Sequence, residues 1–329
     1  MKGKRLILIL VIIILATSFY GCKKENIKEP VLVEKNDDDY VKPNLKVMTT
    51  LFPQFYFTKA LGGDHVEVEL LLPPGTEAHS FEPTPKDMVK LLSADLFLFT
   101  GKDMEPWAEN IVYNLKEEGV YVVDLSENIE LLSSDHHDHD DEDHDEDHDE
   151  ENLDPHYWTD PNMVIIMVDS IKAALSDIDP ENALYYEENA SVLKEKLEKL
   201  DSDIRESLAK TESKTILSGG HFAFGYFAKE YGLDHLSPYA GFSANAEPTP
   251  QRITELIRTI NETNAKAIFY EELVDPKVTK VIVEETGVEM LLLHGIHNVS
   301  KEDLEKGKTY FDFMYENLEN LKVGLGYNE

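Results

Sequence analysis

Short apolar runs alternate along this chain with longer stretches whose apolar positions recur at helical spacing, first between residues 45 and 125 and again between 215 and 323. In the first set the runs 45–50, 66–72, 96–99 and 121–125 read as strands, with helices at 54–61, 86–93 and 106–118. Gly62-Gly63-Asp64 and Pro73-Pro74-Gly75 punctuate the strands, and Thr84-Pro85 offers an N-cap and a proline at the first helical position. In the second set strands are expected at 215–218, 267–270 and 289–293, helices at 221–231, 251–263 and 276–286, a loop from 232 to 250, and a closing helix at 310–323. Strand and helix in alternation put parallel strands in a sheet with helices packed on it.

Between the two sets, Asp160-Pro161 caps a helix 162–175, and Asp179-Pro180 starts a much longer one at 181–210, rich in Leu, Lys and Glu. A helix of that length reaches about 45 Å, enough to join two lobes. A coiled-coil arm is the competing reading and needs at least three clean heptads; Leu193, Leu197, Leu200 and Ile204 make only a short stripe. The expected fold class is therefore α/β: two lobes, each a parallel sheet flanked by helices, joined by a long rigid interdomain helix. The lobes would span 45–178 and 212–329, with the linking helix at 179–211.

The N-terminus changes the picture by giving an address. Lys2, Lys4 and Arg5 precede an apolar run, 6–16, and Gly21 stands before Cys22, the single cysteine. This is the layout of an export signal, and a small residue before a lone cysteine resembles a bacterial lipoprotein box. The run is short of the roughly 20 residues a spanning helix needs, so the expectation is a signal peptide at 1–21, a lipid on Cys22 and a polar tether at 22–44. The body would lie outside the cytoplasm, held to the membrane. With one cysteine, neither an internal disulfide nor a thiolate metal site can form.

Charge adds a second feature. The formal net charge is -34, which argues against nucleic acid or anionic lipid as a partner of the body. Twelve of the acids crowd into 135–151, together with His136, His137, His139, His144 and His148. Such a segment has no apolar residue to bury and repels itself, so it is expected as a disordered loop, 133–152. Its carboxylates and imidazoles are ligands for divalent cations, which makes it an auxiliary low-affinity metal loop or a merely solubilising insert.

Four other histidines sit in structured surroundings. His79 follows the strand 66–72, His221 the strand 215–218, His297 the strand 289–293, and His156 lies in Asp154-Pro155-His156-Tyr157-Trp158-Thr159-Asp160-Pro161. Ligands of open α/β sheets bind outside the carboxyl ends of the strands, so these imidazoles can close tetrahedrally on one ion, at about 2.0–2.1 Å. Taken singly, a loop histidine is more often an ordinary polar residue. His294 competes with His297, while His65 and His235 lie in turns and stay ordinary. No local zinc-finger or His-Glu-x-x-His spacing is present.

Taken together the motifs resemble a family. Pro74-Gly75-Thr76-Glu77-Ala78-His79-Ser80-Phe81-Glu82-Pro83-Thr84-Pro85, the His156 segment, and His221-Phe222-Ala223-Phe224-Gly225-Tyr226-Phe227-Ala228-Lys229-Glu230-Tyr231-Gly232-Leu233 are similar to the zinc and manganese solute-binding lipoproteins of ABC importers (ZnuA, AdcA and PsaA type). Residues 243–250 and 269–277 match in the same order. The resemblance implies two α/β lobes with a metal between them, ligands at His79, His156 and His221, and delivery to an ABC permease with a cytoplasmic ATPase. The family's fourth ligand is usually Asp or Glu; His297 stands there. Four neutral imidazoles suit Zn2+ better than Mn2+, which favours oxygen. A manganese receptor stays the alternative. Glu247 and Glu271 would either orient ligand rings or make structural bonds within the C-terminal lobe.

Two readings of other classes are distinguishable. A zinc hydrolase needs three protein ligands and an open position for water, which follows only if His297 is not a ligand, with Glu247 or Glu271 as base. A surface zinc store or adhesin would depend on the acidic loop, and deleting 135–151 would then abolish most binding. The expectation is a monomeric receptor and not an enzyme. Gly307-Lys308-Thr309 lacks the earlier glycine of a phosphate loop, which leaves energy coupling to the partner ATPase.

Overall fold

The structure, a computed structural model, describes residues 45–133, 153–239 and 247–328. The expected signal peptide, Cys22, the whole tether, and His136, His137, His139, His144 and His148 lie outside the described residues.

The first sheet holds β1 (Leu45–Thr49), β2 (Val66–Leu70), β3 (Leu96–Phe99) and β4 (Tyr121–Asp124), all parallel, in the order β2-β1-β3-β4. Its helices are α1 (Phe52–Gly62), α2 (Pro85–Leu92) and α3 (Pro106–Glu117). Thr84 caps α2 as expected, its hydroxyl accepting from Asp87 N–H while the Asp87 side chain reaches back. A two-residue antiparallel ladder, β5 (Leu132–Ser133) with β6 (Leu153–Asp154), has no counterpart in the sequence pattern, which is too short there to carry a period.

Asp160 caps α4 (Pro161–Ile178), and a turn leads into α5 (Ala183–Ala209). The second set comprises β7 (Thr215–Leu217), α6 (Gly225–Tyr231), β8 (Asp234–Leu236), α7 (Pro250–Thr263), β9 (Ala267–Tyr270), α8 (Lys277–Thr286) and β10 (Glu289–Leu292), followed by a short α9 (Lys301–Glu305) and α10 (Tyr310–Leu325). β7 pairs with β8 and β9 with β10, all parallel, and a parallel bridge between Ser218 and Phe269 joins the two pairs. The order β8-β7-β9-β10 repeats the crossover of the first sheet. The halves therefore share a topology without sharing a sequence.

The long helix is not a free arm. Its face Tyr186, Ala190, Leu193, Leu197, Leu200, Ile204 and Leu208 is buried, and α4 packs against it. Asn189 donates to Leu61 C=O on α1, while Asp203 accepts from Tyr315 on α10. One helix thus braces elements of both halves. Two expectations shift. The helix expected from residue 221 begins at Gly225, because His221, Phe222, Ala223 and Phe224 are all buried and a helical turn would turn one of them outward. The presumed loop after residue 232 holds β8, too short and polar to register as a strand.

At the first crossover, between β1 and β3, the crevice is filled. Glu105 is buried there and accepts from Thr50 and Thr100 hydroxyls and from Thr100 and Gly101 N–H at 2.6–3.2 Å. Burial pushes its carboxyl up to about 7 against those bonds. A carboxyl whose folded value is raised adds stability at low pH and loses it as pH rises through that value. Wild-type urea midpoints are accordingly expected to carry a decline through neutral pH that Glu105→Gln lacks. Glu105→Ala, which leaves two buried N–H groups without acceptors, should cost about 3 kcal/mol in the same titrations.

Candidate metal centre

Each of the four histidines is presented by a short, tied segment. His79 N–H donates to Glu77 Oε1 at 2.7 Å, and Glu77 Oε2 also accepts from Ser80 N–H and hydroxyl. His156 N–H donates to Asp154 Oδ1 at 2.9 Å. The turn after it, Tyr157–Thr159, is pinned by Tyr157 O–H to Thr100 C=O and by Trp158 Nε1–H to Gly295 C=O. His221 leaves β7 through Gly219-Gly220. His297 follows Ile296, whose φ of 61° is a conformation β-branched residues rarely take, and its C=O accepts from Phe52 N–H at 3.0 Å. Asn298 donates to Pro73 and Thr76 carbonyls. The His297 loop is thereby fastened to the His79 loop, one from each half.

The four rings meet. Every pair of them is in contact, with centroids 4.9 to 5.9 Å apart. One ring nitrogen from each lies within 4.8 Å of all the others. His156, His221 and His297 are 0%, 6% and 4% exposed, and His79 is half-buried. His79 Nε2 and His156 Nε2 stand 3.2 Å apart, close to the roughly 3.4 Å that separates two imidazole nitrogens on a tetrahedral zinc.

Carboxylates set the direction of three rings. His156 Nδ1 faces Asp154 Oδ1 at 2.7 Å, His221 Nδ1 faces Glu271 Oε2 at 2.6 Å, and His297 Nδ1 faces Glu272 Oε1 at 3.3 Å. A proton held on Nδ1 by an acid leaves the Nε2 lone pair free for a cation. Nε2 of His221 and of His297 is buried without a hydrogen-bond partner. Buried imidazole nitrogens left this way are costly unless something binds them, and a divalent cation fits all four at once.

The electrostatics agree. Burial, then the neighbouring His297 and His221, push the His79 imidazole down to about 2, and burial and the same kind of neighbours hold His156 well below its ordinary value. Burial also works against a charge on His297, but the hydrogen bond and charge of Glu272 outweigh it and raise that imidazole. Asp154 is pushed up to about 8 by burial; a dication beside it reverses that pressure and favours the carboxylate.

Of the sequence candidates, His79, His156, His221 and His297 converge. His294 does not: its ring packs on Phe313 with centroids 4.4 Å apart, and its Nδ1 accepts from Ile296 N–H. His235 lies in β8, not in a turn, stacked on Phe222. His65 ends a 3-10 turn with its edge to Tyr185. Glu271 orients the His221 ring, whereas Glu247 is exposed. Asp154 and Glu272 went unnoticed in the sequence. The first carried a signal, an acid two residues before a histidine, where it reaches both N–H and Nδ1 of that residue. The second is a neighbour of Glu271 at the end of β9, and nothing local tells which acid faces which ring.

Comparison with known proteins places these features in a context. The family described as zinc-uptake complex component A, periplasmic (ZnuA), matches residues 47–324. The high-affinity zinc uptake system protein ZnuA of Bacillus subtilis (strain 168) is 36% identical over 291 residues, which cover 88% of this chain and 91% of that protein. The zinc-binding protein AdcA of Streptococcus pyogenes serotype M18 is 33% identical over 288 residues, 85% of this chain but 56% of AdcA, so the chain spans little more than half of that relative. The Zn(II)-bound ZnuA-like domain of Streptococcus pneumoniae AdcA has a TM-score of 0.72 at 30% identity, covering 85% of this chain and 98% of that one.

Proposed function

This chain belongs to the ZnuA family of zinc-uptake components, and from that premise we propose that it is an extracytoplasmic receptor that binds one zinc ion through His79, His156, His221 and His297 and hands it to the permease of an ABC importer. The observation that supports this most is the meeting of four imidazoles from both halves of the chain, three of them aimed by carboxylates, of which Asp154 and Glu272 are buried. Nitrogen donors favour zinc over manganese. Metal analysis of the purified protein beside His297→Ala tests both the ion and the fourth ligand: about one zinc per wild-type chain supports the reading, and manganese retained in preference to zinc contradicts it.

A hydrolase is less well supported. Four imidazoles close the tetrahedron, and Glu271 and Glu272 already engage ligand rings, so neither is free to serve as a base toward a zinc-bound water. Esterase and peptidase assays on the zinc-loaded protein discriminate. Attachment to the membrane through a lipid on Cys22 belongs to the same proposal: Cys22→Ser should release the protein from the membrane fraction. Deletion of 135–151 should spare the tight site, and loss of tight binding on that deletion would favour the zinc-store reading.

The pH response follows from the ring environments. Zinc takes neutral imidazoles. His79 and His156 are held neutral by burial and their neighbours and release no proton on binding, whereas His297, which Glu272 raises, gives up whatever proton it holds, and Asp154, pushed up to about 8, is driven to the carboxylate by the ion. Affinity should therefore decline as pH falls, beginning above about 6.5. Competition with a chelator of known proton dependence measures it; an affinity flat from about pH 8 to about pH 5 contradicts the assignment.

A further inference from the structure

The carboxylate that aims His156 is itself weakly anchored. Asp154 Oδ1 accepts from His156 N–H and faces its Nδ1, but Oδ2 is buried with no hydrogen-bond partner. Glu272, by contrast, is fixed independently of its histidine by Gly295 N–H on Oε2 at 2.6 Å. The position of the Asp154 carboxylate therefore depends on the backbone of residue 154. That backbone stands in a ladder of only two residue pairs, Leu132 with Asp154 and Ser133 with Leu153, too short to hold a strand by itself.

A side chain from the other half reinforces it. Tyr226, buried on α6, accepts from Leu132 N–H and donates to Asp154 C=O, both at 2.9 Å. Its one donor and one acceptor are thus directed at both strands of the ladder, at the register pair that includes Asp154. Because α6 begins only four residues after His221, this hydroxyl also fixes the carrier of His156 relative to the carrier of His221. We infer that Tyr226 is a positioning residue for the metal, holding Asp154, and through it the His156 imidazole, in register with His221. The inference rests on the proposed zinc site. No contact between Tyr226 and the ion is involved.

The test is Tyr226→Phe in the full chain, which removes one oxygen and keeps the ring. Zinc affinity, measured by chelator competition at one equivalent, should fall about tenfold, in the range seen when partners of metal ligands are removed. The ligand-field spectrum of the cobalt(II)-substituted protein should change, because the His156 ring shifts. Tyr231→Phe is the control: it lies on the same helix, its hydroxyl donates to Asp201 at 2.9 Å, and both readouts should stay at wild-type values. In an Asp154→Ala background, Tyr226→Phe should bring no further loss, since the two act along one chain of contacts. An affinity and cobalt spectrum unchanged in Tyr226→Phe overturn the inference alone, as do losses that multiply in the double variant. Wild-type protein that binds no zinc overturns the proposed function, and the inference with it.

Discussion

His156→Ala is expected to weaken zinc binding by at least two orders of magnitude, and by more than His79→Ala does. Four-ligand zinc sites bind with apparent free energies of about 10–16 kcal/mol at neutral pH, so one ligand of four carries about 3 kcal/mol, a factor of roughly 100 to 200. His156 should exceed that share. It is fully buried, and its removal leaves Asp154 in the interior with neither the ring N–H nor a partner on Oδ2, which adds the cost of a buried polar group left unsatisfied. His79 is half-buried, its ring faces no carboxylate among the hydrogen bonds of the described residues, and its backbone remains held by Glu77 without it. Isothermal titration with a competing chelator ranks the two; equal losses would mean that the acid beside His156 contributes nothing.

The second large effect comes from a residue with no ligand atom. A Cβ at Gly295 would stand 2.5 Å from His297 Cε1 and 2.7 Å from Nδ1, closer than packed carbon atoms approach. Gly295→Ala must therefore push the imidazole away from Glu272, or displace the carbonyl that accepts from Trp158. Misaligning a ligand in this way should cost about 10- to 100-fold in zinc affinity, with all four histidines still present. The same titration checks it. Affinity within twofold of wild type would show that His297 does not depend on this packing.

These two residues mark what the sequence disclosed and what it did not. Strand and helix alternation was legible because the apolar period is a property of each segment by itself: β3 and β9 fall at their expected residues, and Thr84 and Asp160 cap the helices they precede. The four converging histidines were legible in part for the same reason, since each stands near the carboxyl end of a strand or in a proline-braced turn, and in part through the family resemblance. The partners were not. Whether Glu271 or Glu272 faces His221 and whether His294 or His297 turns inward depend on how loops of the second half, tens of residues apart, pack together, and that Tyr226 reaches across to Leu132 and Asp154 depends on how the two halves meet. The late start of α6 is likewise a tertiary effect, because all four side chains of 221–224 are buried, which one helical turn would not allow.

X-ray absorption at the zinc edge, on protein loaded with a single equivalent of zinc, tests the shared four-histidine site most directly. The account predicts a first shell of four nitrogen atoms at about 2.0–2.1 Å with the outer scattering of four imidazole rings. A shell containing oxygen, or fewer than four rings, would contradict it.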